Sequence, residues 1–434
     1  MLVSMEVAAE KKQSFVFGNG SPESDLSADE LRAIVEESLT EIAPKSKVLA
    51  IVPDKTRDDN TDLLFPFAAE ILAGRKVERF DALVAQGTHA PMNSAEKRAK
   101  LGIGDGLSVP NLGKVFDHHW SDPNELTEIG ELSAEKVSEL TGGLFEKAIP
   151  LTLNKLLAPE NYDYVLIFGA TVPHEVAGFA GGAKYFFPGI SGAELTNATH
   201  WLGALAGIEN IIGRVETPTR NLIEAAADFV SAKIICLTSV VTRTAEDRLQ
   251  THALFAGDFR QSLRSAAEIS REVHIKYVNK KFRRVVALLD EHYDELWTGG
   301  KASYKLGGII ADGGELLIYA PHLRCISDTH GAAIEKFGYA PIEKVKLLVA
   351  ESGELEANLC VAAHLAHVAF AGREGDETAP RYTITLASQI DEETCRRVNL
   401  GFLDYRNFRR EDYETDAETL IVERAGRNLY LVKS

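Results

Sequence analysis

The sequence predicts an α/β protein whose sheets are mainly parallel, and two observations indicate this fold class. Short apolar runs rich in β-branched residues alternate with helical patterns over most of the chain, as parallel α/β units do. The chain also has 434 residues, 45% of them hydrophobic and 26% charged, which suffices for two or three domains of about 150 residues each. We therefore expect two α/β domains, with an active site in the cleft between them.

The first series of elements contains four predicted strands, each followed by a turn or a helix. These strands are KVLAIVP (47–53), FDALVAQ (80–86), YDYVLIFGATV (162–172) and AKIICLTSVV (232–241). The segment NTDLLFPFAAEILAG has helical spacing and ends at Gly74. The segment SGAELTNATHWLGALAG predicts a second helix, which Ser191 can cap at its start and Gly207 can end.

A second series begins beyond residue 272. Strands are predicted for RRVVALLD, GGELLIYAP and KVKLLVA, with a helix over HYDELWTGGKASYKLGGII between them. We therefore predict an N-terminal domain over residues 1–272 and a C-terminal domain over residues 273–434. The last strand-like segments, RYTITLAS and TLIVERAGRNLYLV, either complete the second domain or return to the first.

Charge and cysteine content indicate which classes of partner the protein can bind and in which cellular compartment it acts. There are 47 Lys and Arg against 64 Asp and Glu, so the formal net charge of −17 repels phosphate backbones and anionic lipid. We expect neither nucleic acid nor membrane as a partner. The four cysteines lie far apart without a CxxC pair, which argues against disulfides and cysteine-based zinc sites. Because no apolar signal-like or membrane-spanning run is found, we predict a cytoplasmic protein.

Polar residues follow three of the predicted strands at their carboxyl ends, where open parallel sheets bind ligands. Asp54 and Arg57 follow the first strand, His89 follows the second, and His174 and Lys184 follow the third. Each residue alone is as readily explained by a structural role. Together at one sheet edge they would form a crevice with a guanidinium that can bind a carboxylate and two titratable imidazoles.

The segment GFAGGAKYFFPGISG (178–192) is the most informative in the chain. Its five glycines allow the backbone to approach a ligand closely, and its amides can hold a phosphate. It is not a Walker loop, because Ala183 and Tyr185 stand where that pattern requires Gly and Ser or Thr. Lys184, with little side-chain bulk around it, can contact phosphate or act as a nucleophile.

The remaining histidines allow structural or ligand roles. His200, in the middle of a predicted helix, is either a core histidine beside Trp201 or a transition-metal ligand. His364 and His367 lie three residues apart on a possible helix with no evident third ligand, so we predict structural roles for them. The pair at 118 and 119 is predicted to lie at the surface.

These motifs together resemble the nickel-dependent lactate racemase family over most of the chain, from about residue 47 to 330. The resemblance is carried by DKTR, GTHAP, PHEVAGFAGGAKYFFPG, NATH and LWTGGKASYKLGG. It implies an isomerase: a racemase or epimerase that inverts C2 of a 2-hydroxy acid by hydride transfer to and from a nickel-pincer nucleotide. This cofactor is the pyridinium-3,5-bisthiocarboxylic acid mononucleotide of Ni²⁺, and its synthesis proteins are implied as partners.

The resemblance also implies residue roles. His89 and His174 would be the paired acid and base, and Arg57 and Lys301 would bind the substrate. His200 would be the protein ligand of nickel. The implied cofactor-binding residues are Lys184, which would form a covalent thioamide, Asp54, Gly181, Gly182, Trp297 and Thr298.

The chain departs from the family pattern at two points. Asp58, Asp59 and Asn60 follow the DxTR motif where lactate racemases tend to have Pro, which predicts more polarity near the substrate mouth. Trp297 and Thr298 stand where those enzymes carry Tyr and Gln. The identity of the 2-hydroxy acid is therefore open.

Two alternatives to a racemase remain at this point. One is a zinc-dependent hydrolase with His89, His174 and His200 as ligands, which would leave Lys184 and the glycine-rich loop without a task. The other is a non-catalytic nucleotide-binding protein, which would need the loop and the lysines but not two facing histidines.

Overall fold

The computed structural model of the protein describes residues 15–89, 91–104 and 109–433. Residues 1–14 of the predicted N-terminal domain and Ala90 of the GTHAP motif lie outside the described residues. The predicted fold class is confirmed, because two mainly parallel sheets alternate with helices along the chain. In this part of the chain, no helix combines the length and apolar content that crossing a membrane requires.

The strands and helices have the following bounds. The strands are β1 (Val16–Gly20), β2 (Lys47–Pro53), β3 (Arg79–Ala85), β4 (Leu112–Phe116), β5 (Leu126–Leu132), β6 (Ile149–Asn154), β7 (Tyr164–Ala170), β8 (Pro173–His174), β9 (Gly178–Phe179), β10 (Lys233–Arg243), β11 (Leu249–Gly257), β12 (Ile275–Val278), β13 (Phe282–Leu289), β14 (Ile310–Ala320), β15 (Gly372–Arg373), β16 (Asp376–Pro380), β17 (Thr383–Ser388), β18 (Gly401–Phe402), β19 (Thr419–Ala425) and β20 (Leu429–Val432). The α-helices are α1 (Ala28–Ser38), α2 (Thr61–Gly74), α3 (Ser94–Lys100), α4 (Ala134–Thr141), α5 (Ala193–Ala206), α6 (Ile208–Ile211), α7 (Pro218–Ala227), α8 (Phe259–His274), α9 (Leu296–Gly299), α10 (Lys301–Leu306), α11 (Gly331–Phe337), α12 (Ile342–Glu351), α13 (Gly353–Glu356), α14 (Leu359–Ala369), α15 (Glu392–Arg397) and α16 (Glu411–Glu414). Short 3₁₀ helices cover Pro123–Glu125, Lys155–Leu157, Gly182–Tyr185, Gly307–Ile309 and Tyr405–Asn407.

The larger sheet has seven strands in the order β1-β11-β10-β7-β2-β3-β4. The strands from β10 to β4 are parallel, whereas β1 and β11 pair antiparallel at one edge. Because β7, β2 and β3 are neighbours with the same direction, the residues that follow them meet at one sheet edge. This order brings the predicted site residues of three separate strands together.

Alternation along β2 explains how this sheet is buried on both faces. Val48, Ala50 and Val52 pack into an apolar cluster with α1 and α2, whereas Leu49 and Ile51 pack on the opposite face. Successive side chains of a strand point to opposite faces, so a strand covered on both sides has a continuous apolar run. The apolar run KVLAIVP was therefore sufficient to predict β2 with its correct bounds.

The second sheet has five parallel strands in the order β18-β17-β14-β13-β19. Both strands of the last segment pair with the second series, since β19 joins β13 in this sheet and β20 pairs with β12. The boundary predicted at residue 272 falls in the last turn of α8. The division into two domains stays a prediction.

Helix α5 packs against the cores of both sheets. Its Leu195 and Leu202 belong to the apolar cluster of the larger sheet, whereas Trp201 and Ala204 belong to the cluster around the second sheet. A helix whose opposite sides are both buried has little freedom to rotate or tilt. The side chain of His200 is therefore held between the two cores.

Two predicted elements of the second series are wrong. KVKLLVA was predicted as a strand but lies in α12, where Ile342, Val345 and Val349 recur at helical spacing. The helix predicted over HYDELWTGGKASYKLGGII is broken at Gly300 and Gly307 into α9, α10 and a 3₁₀ turn, after which β14 begins.

The predicted cap of α5 is also wrong. The N-cap residue is Gly192, and Ser191 stands one residue too early. A backbone bridge between Ser191 and Leu153 holds Ser191 against β6, and its hydroxyl contacts that of Thr196 at 3.4 Å instead of capping a backbone N–H of the helix. The predicted end of the helix at Gly207 is confirmed.

Candidate active site

A single cavity collects the residues that follow β2, β3 and β7, and helices α5, α9, α10 and α14 complete its wall. All but one of the predicted site residues line it. These are Asp54, Arg57, His89, His174, Gly181, Lys184, His200, Trp297, Thr298 and Lys301. The exception is Gly182, which faces Phe259 and Leu263 of α8 instead.

His89 is oriented by Asp54. Nδ1 of His89 lies 2.7 Å from Oδ2 of Asp54, and Oδ1 of Asp54 accepts hydrogen bonds from Thr56. Burial alone would raise the pKa of Asp54, but the charge and hydrogen bond of His89 and the charge of Arg57 hold that pKa below its usual range. The ionised carboxylate requires a proton on Nδ1, so Nε2 of neutral His89 carries a lone pair.

His174 is arranged in the opposite way. The backbone N–H of Val176 donates to its Nδ1 at 3.1 Å, so the neutral ring carries its proton on Nε2. Burial, followed by the charges of Lys184 and Arg57, holds the pKa of His174 well below its usual range. Oε2 of Glu175 lies 3.6 Å from the same Nδ1 and can accept a hydrogen bond if the proton moves there. One cavity therefore holds two imidazoles with opposite proton positions.

The glycine-rich loop is braced from beneath by Arg220, which the sequence did not single out. The guanidinium of this fully buried residue donates to the carbonyls of Ala177, Phe179 and Gly181. Gly181 has a φ of +98°, and a Cβ there would meet Thr171 Oγ1 at 2.8 Å. A side chain would therefore be strained at this position, and the loop keeps its shape through backbone contacts.

Lys184, Arg57 and Lys301 concentrate positive charge on the cavity. Within the described residues none of their three side chains forms an ion pair. Burial first, and then the charge of Arg57, lowers the pKa of Lys184 to about 7 and that of Lys301 to about 8. Cations without an ion-pair partner, in a protein of net charge −17, favour a bound anion.

His200 presents a free nitrogen to the cavity. Its Nδ1 lies 2.8 Å from the carbonyl of Thr196, which can only accept, so Nδ1 carries the proton and Nε2 carries a lone pair. Burial lowers the pKa of His200 to about 4, which keeps the ring neutral. A neutral imidazole whose second nitrogen donates to a carbonyl is a common arrangement for a metal ligand.

Several cavity residues were missed by the sequence analysis. They are Glu175, Tyr304, Cys360, His364 and His367. The structural roles predicted for the two histidines of HLAH do not explain their position on the cavity wall. Their three-residue spacing predicted a shared helix face, but the direction of that face depends on how α14 packs against α5.

The three polar side chains that follow the DxTR motif contact residues outside the cavity wall. Asp58 pairs with Arg243 at 2.8 Å, and buried Asp59 pairs with Lys100 at 2.6 Å. Asn60 bonds Thr251. These contacts keep the three side chains out of the cavity wall.

The surface position predicted for the pair at 118 and 119 is wrong for one of its members. His118 is 1% exposed, because its Nε2 bonds the carbonyl of Ser191 and its Nδ1 contacts Asn154. His119 is exposed and pairs with Glu125 at 2.9 Å. Both lie beyond the end of β4, so strand alternation did not apply.

The zinc hydrolase alternative finds little support in this geometry. Among the described residues, the trio of potential ligands whose atoms all lie within 4.8 Å of one another is Glu295, Cys325 and Asp328, outside the cavity wall. The three histidines of that hypothesis do not meet this criterion, and Nδ1 of His174 is occupied by a backbone amide.

Comparisons with known proteins agree with the fold. Residues 13–210 match a family model described as the lactate racemase N-terminal domain. The lactate racemase of Thermoanaerobacterium thermosaccharolyticum is 27% identical over 276 residues, which cover 61% of this chain and 59% of that relative. The match thus spans about three fifths of that relative.

Two solved structures are similar over nearly the whole chain. A protein of Thermotoga maritima superposes with a TM-score of 0.85 and 33% identity, covering 94% of this chain and 99% of that one. The lactate racemase apoprotein from T. thermosaccharolyticum superposes with a TM-score of 0.69 at 16% identity, covering 100% and 97%. The second likeness is one of fold.

The fold and the site define an α/β protein with a histidine-rich, anion-attracting cavity at the carboxyl ends of a parallel sheet. Over residues 13–210 the chain belongs to the lactate racemase family by its match to the N-terminal domain model, and the whole chain shares the fold of a lactate racemase apoprotein.

Proposed function

We propose that the protein is a racemase or epimerase that inverts C2 of a 2-hydroxy acid with the help of a nickel-pincer nucleotide. One observation carries the proposal: His89 and His174 line a single cavity with opposite proton positions, beside the unpaired cations Arg57 and Lys301. Inversion at a carbon bearing a hydroxyl requires one group that accepts the hydroxyl proton and one that donates a proton to the same oxygen. It also requires that the substrate's carboxylate be bound in a fixed position.

The residues present fit a nickel-pincer nucleotide. Lys184 is an amine without an ion-pair partner and with a pKa of about 7, so a large share of it is a neutral nucleophile near neutral pH. His200 offers the lone pair of Nε2 as a nickel ligand, and imidazole is a suitable donor for nickel. When bound, the group supplies a reversible acceptor for the hydride of C2.

Arg57 and Lys301 would bind the substrate anion. The planar guanidinium matches a carboxylate in bidentate geometry, which an ammonium cannot do. Burial and then the charge of Arg57 lower the pKa of Lys301. A bound carboxylate relieves this repulsion, so the cavity favours an anion over a neutral alcohol.

His89 would accept the hydroxyl proton of the substrate at Nε2. The imidazolium that forms keeps its Nδ1–H bonded to the buried carboxylate of Asp54, which stabilises the new charge. Asp54 therefore acts as a positioning residue for His89, while its predicted contact with the cofactor stays a prediction.

His174 would serve the other face. In its resting tautomer Nε2–H donates a hydrogen bond to the substrate oxygen. To accept a proton at Nε2, the ring must carry its proton on Nδ1 and lose the hydrogen bond from Val176. Glu175, 3.6 Å away, provides the acceptor for that Nδ1–H and makes the second tautomer accessible.

The fold-level predictions extend the proposal. The cavity wall combines residues that follow strands of the larger sheet with residues of α9, α10 and α14, which supports an active site in a cleft between domains 1–272 and 273–434. Cofactor-synthesis proteins would be partners, and the cytoplasm would be the place of action.

The test is to produce the protein with nickel and the cofactor-synthesis proteins and to follow single-enantiomer 2-hydroxy acids by chiral chromatography. Appearance of the opposite C2 configuration is expected. Intact-protein mass should rise with the cofactor, and the increase should vanish in Lys184→Ala but persist in the surface variant Lys155→Ala. His200→Ala should lower bound nickel. Cofactor-loaded protein that inverts no 2-hydroxy acid would refute the proposal.

A further inference from the structure

We propose that the cavity selects 2-hydroxy acids that carry an uncharged hydroxyl group on C3, and that His367 and His364 of α14 recognise this hydroxyl. The inference rests on the proposed function, because it assigns the C2 substituent of the substrate to this part of the wall. Both imidazoles line the same cavity as His89 and His174, although neither contributes to the proton transfers described above.

Both histidines have a buried nitrogen without a partner. They are 4% and 5% exposed, and within the described residues their Nε2 atoms form no hydrogen bond. A spacing of three residues brings the two rings to one face of α14. This face is fixed against α5, where Oδ1 of Asn197 accepts the backbone N–H of Cys360 at 3.0 Å. Two buried polar atoms of this kind are usually satisfied by a ligand or a water.

The hydrogen bonds of His367 determine what its free nitrogen requires. The ring bonds the backbone of Gly203, and this contact raises the pKa of His367, as donation to a carbonyl does. Since Nε2 is the free atom, the proton lies on Nδ1 and Nε2 carries a lone pair. The ligand group opposite must therefore donate a hydrogen bond. A hydroxyl can donate, whereas a methyl group and a carboxylate cannot.

His364 is compatible with the same group. Its Nδ1 lies 2.7 Å from the hydroxyl of Tyr304, which can donate or accept, so Nε2 can take either role toward a ligand. Trp297 packs between His364 and His330, with ring centroids 4.1 and 4.4 Å apart, and fixes the orientation of the imidazole. A hydroxyl is both donor and acceptor and can bond both histidines at once.

Charge argues against a second carboxylate at this position. Burial lowers the pKa of His367 to about 4 and holds that of His364 well below its usual range, so both rings are neutral at pH 7. The charge of the partly buried Glu175 carboxylate acts on His367. A neutral lone pair beside a carboxylate repels a second anion, while Arg57 and Lys301 bind the first.

The test compares three acids that differ only at C3: lactate with a methyl group, glycerate with a hydroxymethyl group and malate with a carboxymethyl group. Each single enantiomer is titrated calorimetrically into cofactor-loaded protein. We expect glycerate to bind about 10- to 100-fold more tightly than lactate, since lactate leaves the buried nitrogens unpaired, and malate to bind more weakly than glycerate.

Variants separate recognition from folding. His367→Leu should bring the affinity for glycerate down to that for lactate, and His364→Leu should do so in part. His119→Leu, at an exposed position, should leave the preference intact. Lactate or malate binding as tightly as glycerate to the unmodified protein would overturn the inference. So would a His367→Leu variant that weakens all three acids equally, because the histidine would then support the fold or the cofactor.

Chiral chromatography on the same samples keeps the two proposals apart. Preferential binding of glycerate without inversion of any acid would refute the racemase while leaving the hydroxyl selectivity in place. Inversion of lactate without a preference for glycerate would refute the selectivity alone.

Discussion

His89 and Asp54 form a partly buried hydrogen bond of 2.7 Å between Nδ1 and Oδ2, joining the ends of β3 and β2. The other carboxylate oxygen is occupied by Thr56, whose backbone N–H and hydroxyl donate at 2.8 and 2.6 Å. The carboxylate therefore has one orientation, and the imidazole is held in one tautomer. This relationship orients His89, before any substrate binds, for the general-base role proposed above.

Asp54→Asn should reduce kcat by about 10³- to 10⁴-fold with little change in KM, because the imidazolium of His89 loses its compensating charge and the tautomer is no longer imposed. Steady-state kinetics of cofactor-loaded protein measure this. Glu70→Gln, which breaks the exposed ion pair with Arg32, is the matched control and should retain activity. A kcat of Asp54→Asn close to that of the unmodified protein would remove Asp54 from the mechanism.

Glu175→Gln should reduce kcat about tenfold or more and change the pH profile. The carboxylate stabilises a proton on Nδ1 of His174, so its loss lowers the pKa of this ring further and moves the corresponding limb of kcat/KM to lower pH. Glu175→Asp should restore part of the activity. A variant with reduced activity but an unchanged pH profile would assign Glu175 a purely structural role.

The sequence was sufficient to predict features that depend on short segments and on general rules for parallel sheets. The strand bounds of β2 follow from one apolar run that ends at Pro53, and the gathering of residues after β2, β3 and β7 follows from the general behaviour of parallel sheets. These two regularities predicted the fold class and the meeting of five wall residues, Asp54, Arg57, His89, His174 and Lys184.

Side-chain contacts between distant segments could not be predicted in this way. The pairing of His89 with Asp54 depends on a local turn that directs the carboxylate toward β3, and spacing alone left the role of Asp54 open. A structural role was predicted for His367, because its position on the cavity wall depends on the packing of α14 on α5. Helix α5 lies about 160 residues earlier in the chain, so sequence spacing does not show this contact. Gly300, which interrupts a predicted helix, shows the same dependence on context.

Lys184 should react with a small amine-modifying reagent such as cyanate at a lower pH than other lysines. Its pKa of about 7 means that the neutral amine increases between about pH 6 and 8 and then reaches a plateau. Peptide mass mapping of the apoprotein gives the rate at each pH. Surface Lys155, mapped in the same digests, is the control.

Arg57→Gln provides a second check on Lys184. Removing this positive charge should raise the pKa of Lys184 and move its reactivity curve to higher pH, since the charge of Arg57 contributes to lowering that pKa. A Lys184 rate that follows that of Lys155 throughout would contradict the lowered pKa.

The stability of the protein should fall when the pH drops from about 6.5 toward 4. Burial lowers the pKa of four histidines to about 4, namely His118, His200, His274 and His367. Between these values the unfolded chain binds more protons than the folded chain, so the free energy of unfolding decreases with falling pH, by up to about 1.4 kcal/mol per pH unit for each group. Urea unfolding of the apoprotein at several pH values measures the slope.

Single variants show how much each histidine contributes to the pH dependence of the unfolding free energy. His274→Gln removes one of the four titrating groups while retaining an N–H donor for the carbonyl of Val241, which accepts from His274 Nε2 at 2.9 Å. The pH slope should therefore decrease, whatever the variant does to the stability at pH 7. His119→Gln, at an exposed position, should leave the slope unchanged. Imidazoles that stay neutral in the folded protein but are protonated in the unfolded chain must favour unfolding at low pH. An unfolding free energy that is the same at about pH 5 and pH 7 would therefore contradict the lowered pKa values of these histidines.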